Sequence, residues 1–316
     1  MRTHPVTRSA LVIVATVAAA CAACSSSPAS PASTGSGGSG FPVTVSTAAG
    51  TVHLASRPDA IVSLSPTATE MLYAIGAGKQ VKAVDSLSDF PAGVPVTKLS
   101  AYQPNSEAIA GFKPDLVIIS NDMNGITAKL RALSIPVLDL PAAATVSGVY
   151  TEFTELGEAT GHIAQARAED ARLKSDIRAI IAAEPKHSAP ITYYYELGAN
   201  PYYSVTDSTF VGSLLSLLGM KSIADTATGA AAAGGYPELS PEFILKANPD
   251  FILLSDTGSN GGQDAATVAA RPGWSDLTAV KGIHIVALNA DVASRWGPRV
   301  VQLLDAVAAA IKSGSA

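Results

Sequence analysis

The chain has 316 residues, a formal net charge of −5 at pH 7 and 47% hydrophobic residues. That length is sufficient for one large hydrophobic core or two medium ones. The mild acidity and the lack of a basic cluster argue against a nucleic-acid partner. No G-x-x-x-x-G-K-S/T loop is present to hold a nucleotide phosphate.

The N-terminus carries the features of an export signal. Basic residues precede the apolar run 10–20, which is shorter than the roughly 20 residues that a membrane span needs. The stretch "VAAAC" resembles a lipoprotein box, which implies that residues 1–21 form a lipoprotein signal peptide and that Cys21 becomes the lipidated residue. Cys24 in "CAAC" is a second candidate, and the alternative is a secreted protein cleaved near Ala23.

Residues 22–40 are predicted to be a disordered tether. The stretch "SSSPASPASTGSGGSG" (25–40) consists of Ser, Pro, Ala, Thr and Gly, which cannot bury apolar surface. Both cysteines lie before it, so the folded region has no thiol for a disulfide, a metal site or catalysis. We therefore expect a soluble domain held outside the membrane by a lipid anchor.

The folded region is expected to begin near Phe41 with a hairpin, "FPVTVSTAAGTVHL". Strand and helix patterns then alternate, which predicts a parallel sheet covered by helices. The predicted elements are strands "AIVSLS" (60–65), "LVIIS" (116–120) and "PVLDL" (136–140), with helices "TATEMLYAIG" (67–76) and "ITAKLRAL" (126–133). This N-terminal α/β lobe is assigned to residues 41–145.

Residues 146–185 have apolar positions at helical spacing and end at Pro185. Gly157 and Gly161 weaken this pattern without requiring a break. We predict one connecting helix, roughly 50 Å long at about 1.5 Å per residue. A stiff rod of this kind predicts that the lobes close only slightly on a ligand.

The C-terminal lobe, residues 186–316, repeats the alternation of the first. Its predicted elements are strands "ITYYYEL" (191–197), "FILLS" (251–255) and "IHIVAL" (283–288), with helices 209–219 and 299–311. "NSEAIAGFKPDLVIIS" (105–120) aligns without gaps on "SPEFILKANPDFILLS" (240–255), which favours an internal duplication. The fold class is therefore α/β, with two similar lobes of mainly parallel sheet.

Four stretches carry a resemblance to a known family. They are "IVSLSPTATEMLYAIGAG", "DSLSDFP", "FKPDLVII" and "RPGWSDLTAVKGIHIVALNADVASRWGPR", and the binding domain they define covers residues 58–316. The chain resembles the substrate-binding proteins of ABC importers that handle ferric siderophores, haem and cobalamin, and the cobalamin binders are the nearest likeness. The resemblance implies two lobes joined by a long helix and a ligand in the cleft. It also implies a monomer without enzymatic activity or cofactor, and delivery to a permease and its ATPase.

Ligand contacts are expected in the loops at the carboxyl ends of the strands. Aromatic residues in such loops suit a bulky ligand, because they bury much area with little loss of entropy. The resemblance adds that Ser65-Pro66 match a cleft-lining loop, that three tyrosines match aromatic positions, and that Asp291 and Arg295 match polar residues. The candidates are Ser65, Pro66, Thr67, Tyr102, Asp122, Tyr202, Tyr203, Tyr236, Asp291, Arg295 and Trp296.

Several of these residues have a plainer interpretation. Asp291 and Arg295 can form a local salt bridge, and Trp296 can pack beneath the last helix. Tyr193 to Tyr195 alternate along a strand and are expected to pack in the sheet, and Trp274 is expected to be structural. If the tyrosines and Arg295 do bind ligand, they suit an anionic ferric siderophore as well as a corrinoid.

The family also has acidic residues that dock on the permease. The resemblance places Glu242 in that role on the second lobe, where the plainer interpretation is a helix-start acid that favours the dipole. On the first lobe, residues 120–126 contain only Asp122 as an acidic candidate.

The sequence gives less support to functions other than transport of a metal–organic ligand. The histidines at 53, 162, 187 and 284 are scattered, which argues against direct binding of zinc or manganese. A secreted hydrolase lacks support, because no G-x-S-x-G, S-x-x-K or H-E-x-x-H motif is present. Binding of haem and a surface receptor without an importer remain alternatives.

Overall fold

The structure is a computed structural model that describes residues 40–185, 187–258 and 262–314. The predicted signal peptide (1–21), the candidate lipidation sites Cys21 and Cys24, and the tether up to residue 39 lie outside the described residues.

The first lobe begins with the predicted hairpin, in which β1 (Val43–Thr47) and β2 (Gly50–Leu54) pair antiparallel. A four-stranded parallel sheet follows, with the order β4-β3-β5-β6. Its strands are β3 (Ile61–Ser63), β4 (Val81–Val84), β5 (Leu116–Ile119) and β6 (Val137–Asp139). Its helices are α1 (Pro66–Ala74), α2 (Ser106–Ala110) and α3 (Ile126–Ala132). The sequence did not identify β4.

The apolar runs of the central strands reflect burial of both sheet faces. In β5, Leu116 and Ile118 face one hydrophobic cluster, whereas Val117 and Ile119 face another. Successive side chains point to opposite faces of a strand, so a sheet covered on both sides needs an apolar residue at every position.

The connection between the lobes consists of two helices, α4 (Val146–Thr160) and α5 (Ile163–Ala182). The prediction of one uninterrupted 50 Å helix is therefore wrong. Gly161 adopts the left-handed conformation with φ of 74°, and both its N–H and that of His162 hydrogen-bond to the carbonyl of Gly157, which ends α4 as a glycine C-cap does. A Cβ at Gly157 would lie 2.6 Å from the Cβ of Ala166, so the close approach of α5 requires a glycine there.

The second lobe contains a parallel sheet with the order β10-β7-β12-β13. Its strands are β7 (Ile191–Glu196), β10 (Met220–Ser222), β12 (Phe251–Leu254) and β13 (Ile285–Ala287). A small antiparallel sheet, which the sequence did not indicate, contains β8 (Gly198–Ala199), β9 (Tyr202–Tyr203) and β11 (Glu238–Leu239). The helices are α6 (Phe210–Ser216), α7 (Pro241–Ala247), α8 (Ala265–Ala269), α9 (Thr278–Lys281), α10 (Ala290–Ala293) and α11 (Val300–Gly314).

The two parallel sheets share one topology. In each lobe the second strand of the sheet lies at one edge, followed by the first, third and fourth. The aligned residues Asp115 and Asp250 also make equivalent hydrogen bonds in the two lobes. Asp115 accepts hydrogen bonds from the N–H groups of Asp59 and Ala60, and Asp250 accepts them from the N–H and hydroxyl of Thr192. The predicted similarity of the two lobes is therefore confirmed.

One hydrophobic cluster extends through both lobes. It contains Met71 of α1, Phe153 of α4, Leu173 of α5, Tyr193 of β7 and Leu304 of α11, all with 0% exposure. Because these side chains pack as one close-packed body, separating the lobes would expose apolar surface. The predicted packing roles of the tyrosine run 193–195 and of Trp274 are confirmed, because all four side chains are at most 1% exposed.

Candidate ligand cleft

A cavity of about 510 Å³ lies where loops of the two lobes meet. Its first-lobe walls follow the carboxyl ends of β3, β4 and β5, and its second-lobe wall comes from residues 291–296, after β13. This is the position where open α/β sheets hold their ligands. Seven of the predicted site residues line it: Ser65, Pro66, Thr67, Tyr102, Asp291, Arg295 and Trp296.

The Ser65 loop is fixed by the start of α1. The Ser65 hydroxyl accepts a hydrogen bond from the N–H of Ala68 and caps the helix, while Pro66 occupies its first turn. One turn later, the Thr69 hydroxyl oxygen lies within hydrogen-bonding distance of the hydroxyls of Ser63 and Ser88, at 2.9 and 3.1 Å. This buried hydroxyl cluster holds the loop after β4 against α1.

Four predicted site residues do not line the cavity. Asp122 accepts a hydrogen bond from the N–H of Thr127 at 2.8 Å and lines a separate cavity of about 260 Å³. Tyr203 and Tyr236 are 42% and 48% exposed. Tyr202 packs against Trp274, with 5.4 Å between ring centroids.

Tyr202 belongs to a second-lobe cluster built around Arg271. The Arg271 guanidinium lies 4.5 Å from the Trp274 centroid and 5.2 Å from that of Tyr202, as in a cation–π contact. It donates to both carboxylate oxygens of the fully buried Glu196, at 2.6 and 2.7 Å. Tyr202 therefore has a structural role in covering this ion pair.

Arg295 is almost fully enclosed by acceptors, with 9% of its side chain exposed. Its Nη1 donates to Glu70 Oε1 at 2.9 Å and Asp89 Oδ1 at 3.0 Å. Its Nη2 donates to the carbonyl of Leu87 at 2.9 Å and to Asp291 Oδ1 at 3.1 Å. The local Asp291 pair that the sequence indicated is present, and the other three acceptors come from the first lobe. Arg295 therefore joins the two lobes.

Glu70 is the partner that sequence reasoning missed. Its side chain on α1 has 0% exposure and also accepts from Arg299, at 2.8 Å from Nε and 2.5 Å from Nη2. A signal was present, because Glu70 interrupts an otherwise apolar helix face, and a buried carboxylate needs a cationic partner. Nothing in the local pattern identified that partner, which is 225 residues away at Arg295.

Trp296 lines the cavity and is also anchored beneath it. Its indole N–H donates to Glu152 Oε2 on α4 at 2.9 Å. Burial is the main cause that raises the pKa of Glu152 to about 8, and the hydrogen bond from Trp296 opposes it. The packing role considered for Trp296 is thus present, and its contact with a ligand remains a prediction.

Asp85, directly after β4, is a further cavity residue that the sequence did not single out. Its side chain has 0% exposure, and the hydroxyl and N–H of Ser88 and the N–H of Leu87 approach its carboxylate. Burial is the main cause that raises its pKa, with Ser88 and the charge of Arg295 offsetting this only in part.

Across the described residues, no group of three or more His, Cys, Asp or Glu side chains is placed to hold a metal ion. None of the helices in the described ranges has the length and hydropathy needed to cross a membrane.

Two α/β lobes whose strand ends face one shared cavity define a two-lobed solute-binding protein. The chain matches the periplasmic binding protein family over residues 61–292, and it belongs to that family. It is 30% identical to the uncharacterized ABC transporter substrate-binding lipoprotein YvrC of Bacillus subtilis, over 86% of each chain. The chain is therefore a solute-binding protein of the ABC-importer type.

Two further relatives differ in the ligand that their names give. The chain is 31% identical to a cobalamin-binding protein of Halobacterium salinarum, over 83% of this chain and 72% of that protein. The crystal structure of a possible iron-binding, periplasmic solute-binding protein from Staphylococcus epidermidis has a TM-score of 0.70 and 27% identity, over 81% of this chain and 99% of that one. These relatives are binding proteins, but their names give different ligands. The ligand of this chain therefore depends on the residues of its own cleft.

Proposed function

We propose that the protein captures a bulky metal–organic ligand in the cleft between its lobes and delivers it to an ABC permease. Our first candidate for this ligand is a corrinoid. The observation that carries this proposal is the cavity of about 510 Å³ lined by strand-end loops of both lobes. A corrinoid is larger than this cavity, so part of it would lie against the rim, where Tyr102 is 68% exposed. An exposed aromatic ring at a cleft mouth is well suited to cover a flat ligand.

The charges around Arg295 favour a corrinoid over an anionic siderophore or haem. Arg295 was expected to attract an anion, yet it already contacts the carboxylates of Glu70, Asp89 and Asp291. An anionic ligand would have to displace these acceptors or approach them at the cost of charge repulsion. A corrinoid presents neutral side-chain amides, which can donate to carboxylates and accept from hydroxyls.

Delivery requires a contact with the permease and a position at the membrane. Glu242 lies exposed in the first turn of α7, as a docking residue would, and Asp122 is the first-lobe candidate. Lipidation of Cys21, or of Cys24, would hold the protein at the outer face of the cell membrane. The name of the Bacillus relative as a lipoprotein supports this part of the proposal.

The test is a binding panel of cyanocobalamin, a ferric siderophore, haem and bare metal ions, measured by calorimetry and by tryptophan fluorescence. Only Trp274 and Trp296 report in this chain, and Trp274 is buried in the second lobe. We expect cyanocobalamin to bind with a Kd below roughly 1 μM, about −8 kcal/mol, with no turnover. Tighter binding of a ferric siderophore or haem would replace the corrinoid as ligand. Binding of no member would refute capture of a metal–organic ligand.

A further inference from the structure

Glu152 is a buried carboxyl group close to the ligand cleft. It is 6% exposed, and among the buried residues of α4, a helix within the described range 40–185, it is the only one with an ionisable side chain. Burial raises its pKa to about 8, so the acid is protonated and uncharged near neutral pH. Replacing a buried polar group by an apolar one of similar shape is often nearly neutral. Packing alone therefore does not require an acid at this position.

The contacts of Glu152 come from both lobes. The indole N–H of Trp296, in the second lobe, donates to Glu152 Oε2 at 2.9 Å. The backbone N–H of Ala143, in the first lobe, also approaches the carboxyl group. Trp296 and Ala142, the neighbour of Ala143, both line the cavity of about 510 Å³, whereas Glu152 does not. Glu152 therefore supports two parts of the cavity wall from behind.

The hydrogen bond to Glu152 decides which part of Trp296 a ligand can use. The indole N–H is the only donor of this side chain, and it is directed at Glu152. What remains toward the cavity is the carbon surface of the ring, which suits stacking against a flat, conjugated ligand. A ring that is already held in place loses less side-chain entropy when the ligand binds.

We propose that Glu152 is a positioning residue of the cleft: by accepting the indole N–H it holds Trp296 in the cavity wall, and it thereby raises ligand affinity without touching the ligand. The proposal rests on the proposed function only in placing the ligand in this cavity. Glu152→Gln keeps an acceptor oxygen at this position and should preserve the arrangement. Glu152→Met removes the acceptor at similar side-chain length and should release the ring.

The first experiment follows the fluorescence of Trp296 without a ligand. Subtracting the spectrum of the matching Trp296→Phe variant isolates its signal, because Trp274 is the other tryptophan of the chain. At neutral pH we expect Glu152→Met to shift the emission maximum and to make the ring easier to quench with acrylamide. The wild type, Glu152→Gln and Glu158→Met should agree, since Glu158 is a half-buried residue of the same helix. Identical emission and quenching in the wild type and Glu152→Met would overturn the proposal.

The second experiment measures the Kd for cyanocobalamin by calorimetry in the same variants. We expect Glu152→Met to raise the Kd about tenfold, the effect of leaving a buried donor unpaired. Glu152→Gln and Glu158→Met should stay close to the wild type. Glu152→Leu is measured alongside, so that the result does not depend on the folding of one variant.

A double-variant comparison separates a positioning role from a general structural one. If Glu152 acts through the indole ring, Glu152→Met should cause no further loss of affinity when Trp296→Phe is already present. An equal loss with and without Trp296 would show that Glu152 shapes the cleft by another route, and would overturn the proposal.

The two ideas fail in different ways. If the wild type binds no corrinoid, the proposed ligand is wrong, and the ligand-free fluorescence comparison still decides whether Glu152 holds Trp296. If the wild type binds cyanocobalamin and Glu152→Met binds it equally well, the proposed function stands and the inference falls.

Discussion

The pairing of Glu70 with Arg295 and Arg299 gives the sharpest test of how the two lobes are held together. In Glu70→Gln the volume is kept and the central negative charge is removed. The guanidinium groups of Arg295 and Arg299, whose side chains are only 9% and 13% exposed, would then lie side by side without the Glu70 charge between them. Their mutual repulsion would be poorly screened, because both are largely shielded from water and salt.

The magnitude follows from this burial. Breaking a buried ion pair by removing one partner typically destabilises a protein by about 3–5 kcal/mol. Arg295 keeps Asp89 and Asp291, so we expect the lower end, about 3 kcal/mol. At about 2 °C per kcal/mol for a domain of this size, the midpoint of thermal unfolding should fall by about 6 °C.

The assay is chemical denaturation of the wild type and variant at one pH, together with small-angle scattering. Glu238→Gln, at an exposed position of β11, is the matched control and should change stability by less than about 0.5 kcal/mol. The double variant Glu70→Gln/Arg299→Met should recover part of the loss, since it removes one of the two unpaired cations. A loss below about 1 kcal/mol in Glu70→Gln would contradict our interpretation of the buried ion cluster.

Three further predictions concern α4 and the residues it supports. Burial raises the pKa of Glu152 to about 8, above its ordinary 4.5. The folded state therefore holds a proton that the unfolded state releases, and stability should fall as pH rises between these values. As the pH is raised from 5.5 to 8, the free energy of unfolding of Glu152→Gln should increase by up to about 3 kcal/mol relative to that of the wild type, measured by denaturation. A difference in stability that does not depend on pH would contradict this prediction. Trp296→Phe removes the donor to Glu152 and should cost about 1–3 kcal/mol. It should also abolish the ligand-induced fluorescence change, whereas a retained change would assign the signal to Trp274. Gly157→Ala would force its Cβ to within 2.6 Å of that of Ala166, so a loss of about 1–3 kcal/mol in urea unfolding is expected. An unchanged midpoint would mean that α5 moves away freely.

The break at Gly161 changes the mechanical expectation for the lobes. A continuous helix was expected to limit closure by its own stiffness, but α4 and α5 are separate helices. The restraint that remains is the hydrophobic cluster shared by both lobes and the ion cluster around Glu70. We therefore still expect a small change in scattering radius on ligand binding. That expectation now depends on the packing between the lobes. Glu70→Gln, which weakens the ion cluster, should therefore enlarge the change in scattering radius.

The sequence alone was enough to predict most strands of the two parallel sheets and their order along the chain. Apolar runs such as 116–119 and 251–254 have the length of buried strands, and the gapless alignment of 105–120 with 240–255 anticipated the shared topology of the lobes. Short strands such as β4 and β9 escaped detection, because their few residues alternate too briefly to form a pattern. The rule that ligands bind at strand ends predicted the Ser65 loop and the Arg295 loop, and both line the cavity.

What the sequence determined by itself is the part that depends on neighbours in the chain: the strand and helix periods and the two-lobe order. What only the tertiary structure decided is which charges meet. Arg295 was predicted as a site residue, but its neutralisation by Glu70 and Asp89 depends on groups more than 200 residues away. Periodicity and turn chemistry are local, whereas the pairing of a buried charge is set by the packing of distant elements.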